Sequence, residues 1–236
     1  MTTRRPISMS PGDPRLASEV RLFIFEHFRE HAVPPVIEQV MTEFALSRDQ
    51  AIEAFAALDT ARHIALVKGT SRILMAFPFA AAATPFQVTS GGRTYFANCS
   101  WDAIAFHAML GADVRVDSYC HHCAAPIQIE MSGGRAMRVS PAETLIYLAL
   151  PPAQWWEDIT TTCSNTMVFF ASAEHRDASE LCASAQSAVS LTPDQVHAVG
   201  EPIYRGKFDP DYARPGKQEL LDHWAALGLS GDYWTL

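Results

Sequence analysis

The stretch Tyr95-Phe96-Ala97-Asn98-Cys99-Ser100-Trp101-Asp102-Ala103-Ile104-Ala105-Phe106-His107-Ala108-Met109-Leu110 begins with β-formers and passes into a helical pattern. A strand that runs into an apolar helix belongs to a fold in which helices flank a sheet. A cysteine sits at the join and an aspartate lies three residues on. With the helix starting near Cys99, that spacing puts thiol and carboxyl on one face. A thiol at a helix N-terminus has its thiolate favoured by the dipole and the free amides. A thiol that loses a proton beside a carboxyl that holds one is a small acid–base device.

The rest of the chain fits around this stretch. Its 236 residues are enough for one large domain or two small ones, and 48% hydrophobic content supports a substantial core. The net charge of -8 argues against nucleic acid as the main partner, because phosphate binding needs a surplus of Lys and Arg. No membrane span is expected: the longest apolar run, Ile73 to Ala83, is short and contains Pro78. Met1 to Pro14 reads as a polar, proline-rich leader, not a signal peptide. Five cysteines without an export signal suggest reduced thiols and a cytoplasmic location.

Helical spacing at Leu16, Val20, Phe23, Ile24 and Phe28 predicts a first helix, closed by Pro34-Pro35. A second runs from Val36 to Phe44. A third, Ala51 to Arg62, has Ser47 as a plausible N-cap and Ile52, Phe55, Ala56 and Leu58 inward. A hairpin follows over Ile64–Val67 and Arg72–Phe77, and Ala80 to Thr84 reads as a linker. Helices followed by a hairpin outline a winged helix-turn-helix. The third helix carries no basic stripe, so packing or a substrate lid is preferred over DNA binding. Beyond the linker, alternation predicts strands at Asp113–Tyr119, Pro126–Met131, Ala136–Val139 and Thr144–Ala149, then a buried strand at Thr166–Ala171. Ser172 to Ala185 reads as one helix, and another starts at Thr192 and ends near Val199. The expected class is α+β: a winged-helix-like three-helix module followed by a mixed β-sheet domain with flanking helices. The expected spans are a leader at 1–14, the helical module at 15–82, the catalytic domain at 83–200 and a C-terminal extension at 201–236.

Among the other cysteines, Cys120-His121-His122-Cys123 has the form of a zinc knuckle but no second pair at similar spacing. A structural metal at Cys120 and Cys123 and a tight turn with reduced thiols both remain open. Cys182 reads as core. His107 reads as a satisfied core histidine, or one that orients a carboxyl. Cys163 precedes an apolar strand and is either packing or chemistry.

Asn98-Cys99-Ser100-Trp101-Asp102 with its helix through Gly111 resembles the central motif of the organomercurial (alkylmercury) lyases. Val114-Arg115-Val116 followed by Cys120 and Ala125-Pro126, and Cys163 ahead of Phe169-Phe170-Ala171-Ser172, are similar to the family's later landmarks. The resemblance covers about residues 15 to 200. It implies carbon–mercury bond protonolysis. Cys99 would capture mercury, Asp102 would carry the proton to the departing carbon, and Cys163 would complete a two-sulfur hold. Cys120 would be structural. The resemblance implies mercury as substrate with no required redox cofactor. It also implies a small organomercurial substrate, small thiols as helpers and a mercuric reductase downstream. Two departures stand out: Ser164 replaces a thiol many members carry after the late cysteine, and Cys123 is additional. Two alternatives come from the residues themselves. One uses the Cys99/Asp102 pair on another organic substrate. The other is a metal-sensing regulator, with the winged helix for DNA and the Cys120/Cys123 knuckle as sensor.

Overall fold

The computed structural model describes residues 14–185 and 187–236. The leader expected over 1–14 lies outside the described residues, apart from Pro14, where the first helix begins. The structure divides into two compact units. Of the described residues, those from 14 to 82 and from 206 to 212 make one, and those from 83 to 205 and from 213 to 236 make the other. The tail expected as one extension at 201–236 is thus shared between them.

In the first unit, α1 (Pro14–His31), α2 (Ile37–Phe44) and α3 (Arg48–Thr60) precede a small antiparallel sheet of β1 (Ala65–Leu66), β2 (Ile73–Ala76) and β3 (Phe79–Ala80). Ser47 and Gln50 cap α3 reciprocally: Gln50 N–H donates to Ser47 Oγ at 3.3 Å, and Ser47 N–H donates to Gln50 Oε1 at 2.8 Å. The buried stripe of α3 is Ala51, Ala54, Phe55 and Leu58, at i, i+3, i+4 and i+7. Ile52, expected inward with Ala56, is instead exposed. Apolar residues lie on more than one side of α3, and packing on α1 and α2 buries the side of Ala51, Ala54, Phe55 and Leu58. β3 also takes Ala80 from the expected linker.

The returning tail segment belongs to this unit by polar bonds. Arg21, buried, donates to the carbonyls of Lys207 and Asp209, each at 2.6 Å. The buried Lys207 ammonium donates to the Phe77 carbonyl at 2.5 Å and lies 5.1 Å from the Phe25 ring centre.

The second unit is built on a five-stranded sheet in the order β5-β4-β6-β7-β8. Its strands are β4 (Gln87–Ser90), β5 (Arg93–Phe96), β6 (Val114–Tyr119), β7 (Pro126–Ser132) and β8 (Arg135–Ser140). Val88 pairs with Val116 and Val116 with Ile129, all fully buried, which aligns one apolar row across three strands. On it lies α4 (Ser100–Leu110), buried on almost every side. Gly111, at φ 60°, closes the helix by donating its N–H to the His107 carbonyl.

A second sheet has the order β10-β9-β11, with β9 (Leu145–Leu148), β10 (Met167–Phe170) and β11 (Val189–Leu191). Between β9 and β10 run a 3₁₀ turn at Pro152–Gln154, the single turn α5 (Ile159–Thr161) and a π turn at Thr162–Thr166. The helix expected over Ser172–Ala185 is two pieces, α6 (Ala173–Asp177) and α7 (Glu180–Ser184). The first ends at Asp177 with Ala178 as its C-cap, and Ser179 caps the second by accepting from Leu181 N–H, a local bond typical of serine. Cys182, expected in the core, is only half-buried. Every strand pair among the described residues is antiparallel, so the expected α+β class holds with a sheet that is not mixed in direction.

The helix expected to end near Val199 is α8 (Pro193–Tyr204), which continues past Pro202. Proline cannot donate to the carbonyl four residues back. That carbonyl, Ala198, lies 2.8 Å from His223 Nε2 on α9 (Lys217–Ala226), and the Trp224 indole donates to Val199 O at 3.2 Å. The proline is thus accommodated, and α8 reaches the position of Tyr204.

Candidate active site

Cys99 is the N-cap of α4, the residue before its first turn. Its Sγ accepts from the backbone N–H of Asp102 at 3.4 Å, so the sulfur occupies the place of a capping oxygen. Asp102 lies in the first turn on the same side. Cys163 arrives from far along the chain on the π turn ahead of β10, a local widening of the kind found at functional sites. The two sulfurs and the carboxylate lie within 4.8 Å of one another, and all three residues are buried. Ser164, next to Cys163, is exposed and donates to the Thr160 carbonyl, so it takes no part in the cluster.

The carboxylate is held from two directions. The Tyr204 hydroxyl donates to Oδ1 at 2.5 Å, and the Asn98 amide donates to Oδ2 at 2.9 Å. The Tyr204 oxygen accepts in turn from the Trp101 indole at 3.2 Å. Asn98 stands one turn before Asp102, a spacing legible in sequence. Tyr204 is 102 residues away, and nothing local announces it.

Burial changes the expectation about the thiols. The helix N-terminus favours a Cys99 thiolate, yet burial, the bond to Cys163 and the Asp102 charge together push its pKa well above the ordinary cysteine value. For Cys163 the bond to Cys99 works to lower the pKa, but burial and Asp102 prevail and raise it. Both thiols therefore rest protonated near neutral pH. Met167 Sδ lies 3.6 Å from Cys99 Sγ and extends the soft lining.

His107 is apart from this group. It pairs with His197, Nδ1 to Nε2 at 3.0 Å, and its Nε2 accepts from Gly134 N–H at 3.3 Å. It is a satisfied histidine between α4 and α8, not an orienter of Asp102. Cys120 and Cys123 come together in the β6–β7 turn and are joined by His175, which sequence reasoning did not single out. Burial works to raise the Cys120 thiol, but the N–H groups of Ala171, Cys123 and His122 outweigh it and bring the pKa below the ordinary value.

Comparison with known proteins adds the family. The alkylmercury lyase (MerB) family model matches residues 79–205, more than half of the chain. The alkylmercury lyase of Bacillus cereus is 28% identical over 89 residues, 38% of this chain and 40% of that protein. That of Streptomyces lividans is 27% identical over 138 residues, covering 58% and 61% respectively. That of Pseudomonas putida is 33% identical over 89 residues, covering 38% and 41%. The matched segments thus span about two-fifths to three-fifths of these relatives' lengths. The crystal structure of the mercury-bound form of MerB2 superposes with a TM-score of 0.62 at 19% identity, covering 79% of this chain and 88% of that one, a likeness of fold. On the strength of the family match, this chain belongs to the alkylmercury lyase family.

Proposed function

We propose that the protein cleaves the carbon–mercury bond of small organomercurials by protonolysis, with Cys99, Asp102 and Cys163 as the working groups. What supports this is the convergence of two buried thiols and one hydrogen-bonded carboxylate from remote parts of the chain. Mercury is soft, and thiolates are the softest protein ligands. Cys99 bonds to mercury and gives its proton to Asp102. Cys163 then bonds to mercury, and the second sulfur weakens the bond to carbon. The carbon leaves with its bonding pair and takes the proton from Asp102. Two thiol protons enter the sum: one leaves in the hydrocarbon and one with the original counter-ligand of mercury. The metal stays Hg(II) throughout, bound to two sulfurs, so the step itself is a proton transfer.

The raised thiol pKa values suit this sequence. Protonated thiols are the store from which the hydrogen comes, and mercury displaces the protons as it binds. Trp101, Ile104 and Phe106 are buried around the motif and limit competing water. Small thiols then exchange mercury off the pair and leave Cys99 and Cys163 reduced, which fits a cytoplasmic setting and a downstream reductase. No described helix is long and apolar enough to cross a membrane.

The test is hydrocarbon release into headspace from an organomercurial with excess small thiol. Cys99→Ser and Asp102→Ala each abolish it, and Cys163→Ser lowers it by orders of magnitude. Unchanged turnover in either of the first two removes the mechanism.

A further inference from the structure

A second soft-ligand cluster lies outside the proposed active site. Cys120 Sγ and Cys123 Sγ stand 3.7 and 3.5 Å from the same nitrogen, Nδ1 of His175, and all three ligand atoms lie within 4.8 Å of one another. In a tetrahedral site, with metal–sulfur near 2.3 Å and metal–nitrogen near 2.0 Å, sulfur and nitrogen sit about 3.5 Å apart. An imidazole nitrogen has either one proton or one lone pair to offer. It makes one good hydrogen bond, so two sulfurs converging on it are poorly explained by hydrogen bonding alone. One cation between them satisfies all three.

The surrounding backbone is shaped to hold the sulfurs. Ala124 N–H donates to Cys120 O at 2.9 Å and Cys120 N–H to Ala125 O at 2.8 Å, which closes the turn. Ala124 sits at φ 58°, a left-handed position unusual for alanine. His121 N–H donates to Phe169 O at 2.9 Å and ties the turn to β10. Ala171 N–H points at Cys120 Sγ at 3.4 Å, a backbone donor of the sort that stabilises a metal-bound thiolate.

We propose that Cys120, Cys123 and His175 form a metal site for a thiophilic divalent cation, with a fourth position open for an exchangeable ligand. Cys120 is fully buried, Cys123 exposed and His175 half-buried, so the open side faces solvent. Structural zinc sites use four protein ligands, whereas three with an open position suit exchange. Resident zinc and mercury in transit both match this donor set. Only the mercury alternative rests on the function proposed above.

The experiment uses the full chain, reduced, stripped with a chelator and titrated with Co(II) alone. One equivalent gives the intense visible bands of tetrahedral, thiolate-bound cobalt, and Zn(II) bleaches them. Cys123→Ser and His175→Ala weaken uptake at least about tenfold, because removing even a residue that only hydrogen-bonds to a metal ligand costs about that much. Both variants keep the wild-type circular dichroism spectrum and hydrocarbon release. Hg(II) retained against excess small thiol by Cys99→Ser, in which the active pair is broken, distinguishes the sources. One equivalent that is lost when Cys123→Ser is added assigns mercury, and none in either protein assigns the zinc class. Absent cobalt bands, or the same bands in all three proteins, overturn the site. Loss of hydrocarbon release in the wild type would sink the lyase reading without touching this one.

Discussion

Replacing Tyr204 by Phe deletes one buried oxygen and two bonds at once. The Asp102 carboxylate loses its 2.5 Å donor, and the Trp101 indole N–H loses its 3.2 Å acceptor. A hydrogen bond to a charged group is worth about 1.5–3 kcal/mol, and a buried donor left without a partner costs about 1–3 kcal/mol. The two share one atom and do not simply add, so a total of about 2–4 kcal/mol is expected. In a chain of this length each kcal/mol moves the melting midpoint by about 2–4 °C, which gives a drop of roughly 5–15 °C. The chemical effect is separable. Oδ1 is no longer held, while Cys99 and Cys163 keep their places. A displacement of about 1 Å at a reacting group costs on the order of 100-fold. We expect kcat for hydrocarbon release to fall about 10- to 100-fold, with KM little changed, read by headspace analysis beside a thermal melt. A lower midpoint with an unchanged kcat would reduce Tyr204 to packing and refute its role in positioning the carboxyl. An unchanged midpoint would refute the bonding scheme itself.

Three further outcomes follow from the same helices. A Cβ on Gly200 would lie 3.3 Å from the Trp101 ring, so Gly200→Val crowds the contact of α8 with α4 and lowers stability by about 1–3 kcal/mol; an unaltered chemical melt would contradict this. Burial lowers the pKa of both His107 and His197, with Asp113 opposing it at the first, and Glu201 and Asp194 at the second. Because the folded values lie below the unfolded one, stability is full above about pH 6.5 and is lost as pH falls below it. His197→Gln should flatten that fall in midpoint, and a wild-type midpoint constant across the range would dispose of the idea. Ser47→Ala removes the α3 cap and should cost about 1 kcal/mol in chemical unfolding, with hydrocarbon release unchanged.

Local chemistry in the chain already pointed to half of the candidate site. Cys99 and Asp102 lie three residues apart at a helix start, and Asn98 lies one turn back, so short-range helical geometry aligns them without further help. The alternation of β6 and β7 was readable for the same reason, since a period of two needs only neighbours. The inward face of α3 was misread because the helix carries apolar residues on more than one side, and only packing against α1 and α2 selects the side of Ala51, Ala54, Phe55 and Leu58. The break at Ser179 was missed because one hydroxyl competes with a backbone bond.

What the sequence by itself determined is the set of segments whose partners lie within a turn or a strand: the α4 motif, the capping boxes, the knuckle turn and the buried strands. Only the tertiary structure decided which distant groups meet them. Cys163, Tyr204 and His175 reach their partners across 52 to 102 residues through the sheet order and the packing of α8 on α4, and no local pattern encodes such a meeting. It also decided the state of the thiols. A helix N-terminus alone favours the charged sulfur, but removal from water outweighs the dipole, and whether a residue is removed from water depends on the whole fold.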